Sequence, residues 1–174
     1  ENQPAHAHYV GDDGYPRPQL KSSAEFVEFS YSERGDEAKV SYFDRAHQPQ
    51  PGLDDVYIIE NKFDSRGLTI EVAYFDPAGQ AILNQKGYHK GTAQYDARGN
   101  QIEKAFFGTD GQPISDKNGV HKGIAQYDAR GNQIEVAYFG TDGQPILHKD
   151  GYHKWTTQFD ARGNKTEQAF SSTD

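Results

Sequence analysis

Three histidines stand 32 residues apart, His89, His121 and His153, and four glutamates keep the same interval at Glu71, Glu103, Glu135 and Glu167. Imidazoles in register could ligate a transition metal, and carboxylates in register could act as general acids and bases. Asp110 and Asp142 lie in GTDG loops, where their oxygens could help hold Ca²⁺. His6 and His8 would share one side of an extended strand, with His47 or His148 as a further ligand. Aromatic rings offer another chemistry. Tyr88, Tyr152, Trp155 and the row Phe106/Tyr138 are regular enough to stack on the sugars of a polysaccharide.

The elements that must position these groups follow from repetition. YDARGNQIE fills residues 95–103 and again 127–135, and FDARGNKTE fills 159–167. A turn phrase reads SERG at 32–35, DSRG at 64–67, then DARG at 96–99, 128–131 and 160–163. YFD-like phrases start at Ser41, Ala73, Ala105, Ala137 and Ala169, and GYHK or GVHK at Gly87, Gly119 and Gly151. Windows 91–122 and 123–154 agree at 25 of 32 positions, which excludes chance. A tandem array follows. Its units span about 23–54, 55–86, 87–118, 119–150 and 151–174, after an extended lead-in at 1–22 containing Pro4, Pro16 and Pro18.

Each unit predicts two strands. Asp first and Gly fourth, as in Asp96…Gly99, Asp128…Gly131 and Asp160…Gly163, suit a type I turn closed by a left-handed Gly. Tyr88–Tyr95 and Gln101–Phe107 flank the first of these turns, rich in β-branched and aromatic residues and free of proline. Gly108–Pro113 is a longer breaker, followed by a short apolar step at Ile114. The fold class expected is all-β: tandem 32-residue hairpins in an elongated antiparallel meander or solenoid-like sheet.

With Asp96 opposite Asn100, the expected register places Tyr95 against Gln101, Ala93 against Glu103, Gly91 against Ala105 and His89 against Phe107. Trp155 then falls diagonal to Ser171 on one face, where earlier units have Gly91 or Gly123 beside Phe107 or Phe139. That exchange reads as volume compensation, which would bury Trp155.

Geometry weighs against a shared metal. With two strands per unit, equivalent histidines stand roughly 9.5 Å apart, and zinc needs nitrogens within about 2.1 Å. We read the histidines as half-buried cross-strand partners of Glu or of an aromatic ring. Four equivalent glutamates likewise suit a row balanced by Lys and His better than acid–base catalysis, which needs carboxyls in unlike environments. No GxSxG, HExxH, P-loop or dinucleotide fingerprint is present, and nothing calls for a cofactor or a bound metal.

Composition narrows the partners. A net charge of −8 argues against nucleic acid, and no apolar run approaches the roughly 18 residues of a membrane span. With no cysteine, disulfide and thiolate chemistry are absent. Apolar residues make up 34%, much of their bulk in 11 Tyr and 10 Phe, which favours thin, half-exposed sheets. The chain lacks Met even at residue 1, as a processed or excised product would, and Asp174 stands at the register of Asp110 and Asp142. We expect a piece of a longer, exported chain.

Tyr95–Asn100, Tyr127–Asn132 and Phe159–Asn164 resemble the core of the YD repeats of bacterial RHS-type proteins. The resemblance implies spirals of β-hairpins at bacterial surfaces or around secreted toxins, hence an extracellular or cell-surface setting. The function expected is a non-catalytic repeat module, structural or for interaction with a partner protein. A carbohydrate-binding module using the aromatic row is the first alternative, and a metal-dependent enzyme using the histidines the second.

Overall fold

In the computed structural model the described residues are 5–8, as backbone alone, and 24–173. Among them are eleven strands, one short 3-10 turn (Leu53–Asp55) and no α-helix. The chain divides into two compact units, Glu1–Lys90 and Gly91–Asp174. The first holds β1 (Ala5–His8), β2 (Phe26–Tyr31), β3 (Glu37–Phe43), β4 (Ile58–Phe63) and β5 (Thr69–Phe75), paired antiparallel in sequence order. The second holds β6 (Lys90–Tyr95, one residue of which precedes the division), β7 (Gln101–Phe107), β8 (Lys122–Tyr127), β9 (Gln133–Phe139), β10 (Lys154–Phe159) and β11 (Lys165–Ser171). Its strands β7 to β11 again pair in order. Each unit is an antiparallel meander of tandem hairpins, the fold the repeat predicts. Apart from β1, the lead-in at 1–22 lies outside the described residues.

Turn chemistry explains why the strands end where they do. Asp128 Oδ1 accepts the N–H groups of Arg130 (2.8 Å) and Asn132 (2.9 Å), while Asn132 Nδ2 donates to Asp128 Oδ2 at 2.9 Å. The side chain thereby satisfies backbone donors that the ladder cannot reach. Gly131 closes the turn at φ 86°, with its N–H 3.1 Å from the Asp128 carbonyl. Residues Asp96–Asn100 and Asp160–Asn164 repeat the arrangement.

The repeat contains a third turn that strand propensity concealed. Besides Asp96 and Gly108, Asp116 also opens a five-residue turn, its N–H 2.8 Å from the Val120 carbonyl. Asn84–Tyr88 and His148–Tyr152 match it in their repeats. The strands expected from Tyr88 therefore begin two residues later, at Lys90, Lys122 and Lys154.

The register differs from expectation by one residue. Tyr127 lies opposite Gln133, but Gln126 lies opposite Glu135, so Ile134 is an extra residue without an opposite. The same slip recurs at Lys62/Phe63 and Gln158/Phe159. A bulge transfers every residue beyond it to the other face. Gly123 consequently faces Tyr138 rather than Ala137, and Lys122 faces Phe139. The pairing of Trp155 with Ser171 is corrected likewise: Trp155 stands opposite Phe170, and Ser171 opposite Lys154 on the other face. No volume is exchanged between Trp155 and Ser171, and Trp155 is half-buried.

The cores are small and built from recurring register positions. In the first unit Val27, Val40 and Tyr42 pack with Ala24, against Phe29 and Ile59. Tyr74, Val56 and Tyr88 are buried in the same unit, and Phe106, Ala105 and Val120 in the second. Each large ring removed from water contributes about 1.5–3 kcal/mol.

Candidate functional site

The His row is fixed by backbone and rings. His89 Nδ1 lies 2.8 Å from the Tyr74 carbonyl, and His121 Nδ1 lies 2.8 Å from that of Phe106 and 3.3 Å from that of Ile114. A carbonyl only accepts, so Nδ1 carries the proton and donates. The rings stand edge-on to Phe75 (5.2 Å) and Phe107 (5.6 Å). Aromatic partners are expected of the row, but the expected register sets His89 against Phe107, whereas its ring stands edge-on to Phe75 of the preceding hairpin. Among the described residues, the buried His153 Nδ1 has no hydrogen-bond partner.

Elsewhere the histidines find other company. His47 stacks on Phe43 at 4.5 Å and meets Glu28 at 3.0 Å. His148 stacks on Tyr138 at 5.0 Å and meets Asp150 at 3.2 Å. The side chains of His6 and His8 lie outside the described residues. Among the described residues no three of His, Asp or Glu gather as a metal site.

Three carboxylates of the Glu row meet a lysine that follows in the chain: Glu71 pairs with Lys90 (3.7 Å), Glu103 with Lys122 (3.9 Å) and Glu135 with Lys154 (3.5 Å), and Glu71 also meets Lys62 of the preceding strand (2.8 Å). From the preceding strand, Gln94, Gln126 and Gln158 donate to Glu103, Glu135 and Glu167 at 3.0, 3.3 and 2.9 Å. These environments are alike, so no acid stands apart from a base. Asp110 and Asp142 are exposed, and each receives a backbone N–H within its own loop at 3.0 Å.

A guanidinium row joins turn to turn, a feature the sequence reading missed. Arg34 donates to the Asp64 carbonyl at 3.1 Å, Arg98 to that of Ala129, and Arg130 to that of Ala161 at 2.6 Å. The signal was the third letter of every DARG phrase.

The aromatic candidates separate by exposure. Tyr88 is 3% exposed and Phe106 7%, so neither offers a ring face to a sugar. That corrects their inclusion in a surface row; both fill core positions. Burial, and then the neighbouring Tyr88, pushes the Tyr74 hydroxyl above the ordinary phenol range. Tyr138, Tyr152 and Trp155 are half-buried. Tyr138 lies 6.1 Å from Tyr152, which lies 4.9 Å from Phe170. Phe170 is 56% exposed, in register with the buried Tyr42, Tyr74 and Phe106. The spacing of 32 was enough to reveal Phe170 as a member of that row.

No protein-family model matches the chain, and no curated protein matches it. The crystal structure of TcdB2-TccC3-TEV is similar over 83% of this chain, with a TM-score of 0.51 and 15% identity. The likeness is one of fold. The Photorhabdus luminescens Tc holotoxin pore overlaps 97% of the chain at a TM-score of 0.43 and 14% identity. This chain spans only 7% of the first of those chains and 10% of the second. No helix among the described residues is long and apolar enough to cross a membrane.

Proposed function

We propose that the chain is a non-catalytic repeat module of an exported bacterial protein, serving as scaffold and as a surface for a protein partner. One observation carries the reading: the groups that recur in register are occupied in joining one strand or turn to the next. His121 holds a backbone carbonyl, Glu103 and Glu135 hold lysines, and Arg130 holds the following turn. An array needs such residues in every unit simply to stack. The YD-repeat resemblance supports the bacterial, exported setting, and the fold likeness to TcdB2-TccC3-TEV agrees with a hairpin array.

Deleting residues 119–150 tests this reading, because it joins Asn118 to Gly151 and recreates the turn from Asp116. The shortened chain should keep its β-type circular dichroism and a cooperative melt. A hydrolytic activity lost on His121→Ala with the fold intact would overturn the proposal. So would one transition metal retained per chain.

Carbohydrate recognition keeps one specific observation in its favour: Tyr138, His148, Tyr152 and Phe170 form a continuous, partly exposed ring cluster. Glycan-array binding abolished by Tyr152→Ala, with melting unchanged, would establish it.

A further inference from the structure

Two positions of the second unit depart from the repeat together, and they stand opposite one another. Lys104 of β7 takes the register held by Val40, Val72 and Val136. Gly123 of β8 takes the register held by Val27, Ile59 and Trp155. The ladder sets Lys104 against Gly123 on one side and Tyr138 of β9 against it on the other. All three therefore share one face. Gly91 keeps the register of Gly123 but is buried, whereas Gly123 is half-exposed.

The missing side chain leaves a notch of about 150 Å³. Phe106 and Val120, both buried, line it with Tyr138 and His148, whose rings stack at 5.0 Å. Among the described residues, a Cβ at Gly123 would meet only the Tyr138 ring, at 3.9 and 4.0 Å. An apolar cavity of about 150 Å³ holds one benzene ring. Residue 155 shows what this register accepts. Trp155 stands between Val136 and Phe170 as Gly123 stands between Lys104 and Tyr138. Strands flank β8 on both sides, so the notch lies within the array and not at an edge.

The polar groups around the notch decide which ring it suits. Asp116 Oδ1 accepts the N–H groups of Asn118 (2.8 Å) and Val120 (3.1 Å), and Oδ2 accepts Asn118 Nδ2 (3.0 Å). His148 Nδ1 meets Asp150 at 3.2 Å. These groups are committed, so sugar hydroxyls would give up water for few hydrogen bonds in return. Lys104 is the exception. Its Nζ sits 5.0 Å over the Phe106 ring and, among the described residues, pairs with no carboxylate. An ammonium at an apolar notch favours an electron-rich ring and a carboxylate beside that ring.

We propose that the Gly123 notch is a docking site for an aromatic side chain of a partner protein, Trp or Tyr, with Asp or Glu next to it. The ring enters between Lys104 and Tyr138, and the acid meets the Lys104 ammonium. A seated aromatic anchor of this kind supplies much of an interface's affinity. The proposal deepens the partner-binding side of the scaffold reading and rests on it.

The probe is N-acetyl-Trp-Asp-amide, titrated into the whole isotope-labelled chain and followed by NMR at the Gly123 amide. Saturable shifts are expected there, and N-acetyl-Trp-Lys-amide should bind about threefold or more weakly, as opposite charges beside an exposed cation require. Lys104→Glu should invert that order, which no general loss of structure would do. Gly123→Trp should abolish binding by seating a ring of the chain's own, and unchanged circular dichroism verifies that it folds. The Lys104→Glu arm stands whether or not Gly123→Trp folds. Absent shifts at Gly123, an order of affinities indifferent to Lys104, or undiminished binding by a folded Gly123→Trp chain would overturn the proposal. So would a methyl glycoside that shifts the Gly123 amide where the peptide does not. A negative peptide result beside a folded 119–150 deletion would sink this proposal alone and leave the scaffold standing.

Discussion

Trp155 stands directly opposite Phe170 across β10 and β11, while Ser171 shares the other face with Lys154. Trp155 is half-buried and Phe170 is 56% exposed, so this cross-strand pair lies at a wet surface. Trp155→Ala should therefore cost about 1–2 kcal/mol, less than the ~3–5 kcal/mol of truncating an aromatic in a closed core. A double-mutant cycle with Phe170→Ala should return a coupling of about 0.5–1.5 kcal/mol. Ser171→Phe should rescue nothing, because it lies on the opposite face. Thermal melts of the four chains of the cycle, and of Trp155→Ala combined with Ser171→Phe, check all three statements.

Two glycines of one hairpin should respond in opposite ways. Gly131 adopts φ 86°, where a side chain is strained whatever the space, so Gly131→Val should cost about 1–2 kcal/mol or more. That corresponds to a fall of roughly 2–8 °C in melting temperature for a chain of this size. A Cβ at Gly123 would meet the Tyr138 ring at 3.9 Å, an ordinary contact, so Gly123→Ala should leave melting nearly unchanged. Differential scanning calorimetry of both variants distinguishes backbone conformation from lost space as the reason for glycine.

Why some of this was readable and some was not has a physical basis. The Asp-x-x-Gly phrases state their own turn, because a short carboxylate and a glycine at positive φ are what that backbone requires. The bulge at Ile134 was hidden because neither strand face is cleanly apolar, and register is set by an apolar face. The turn from Asp116 was hidden for a related reason. Val-His-Lys has the composition of a strand, yet the Asp116 side chain bonds the N–H of Val120 at 3.1 Å and holds Val120 in the turn. Of the candidate rings, spacing picked out shared register positions. It could not tell Tyr88, which a preceding turn folds into the core, from Tyr152 in the same position of a later repeat.

Acid should loosen the hairpin turns in a defined direction. Hydrogen bonds from Asn132 and Asn164, then from the turn backbone, hold Asp128 and Asp160 below the usual aspartate range. A depressed folded value means that the contribution is fully present above the unfolded value of 3.8 and is lost as pH falls through the folded one. Stability should accordingly be insensitive to these groups above about pH 5 and decline below about pH 4. Asn132→Ala should move the Asp128 titration upward, toward the free-aspartate value. Carbon-detected NMR titration of the side-chain carboxyls reads that shift, and an unmoved Asp128 curve would count against the role given to Asn132.

The histidine row separates structure from metal chemistry most directly at His121. Its Nδ1–H satisfies the Phe106 carbonyl at 2.8 Å, and its ring meets Phe107 edge-on at 5.6 Å. His121→Ala removes one of two donors to the Phe106 carbonyl, which keeps the Ile114 N–H at 3.1 Å, and opens space beside Phe107, which should cost about 1–2 kcal/mol. By contrast Glu103→Gln disturbs a half-exposed ion pair of long 3.9 Å separation and should cost no more than about 1 kcal/mol. If these rows serve stacking, prolonged treatment with a chelator should leave the melting temperature of the parent unchanged. His121→Ala should then lower it equally with and without the chelator. A parent chain that lost stability on chelation, and regained it with added Zn²⁺ only while His121 was present, would assign the row to a metal instead.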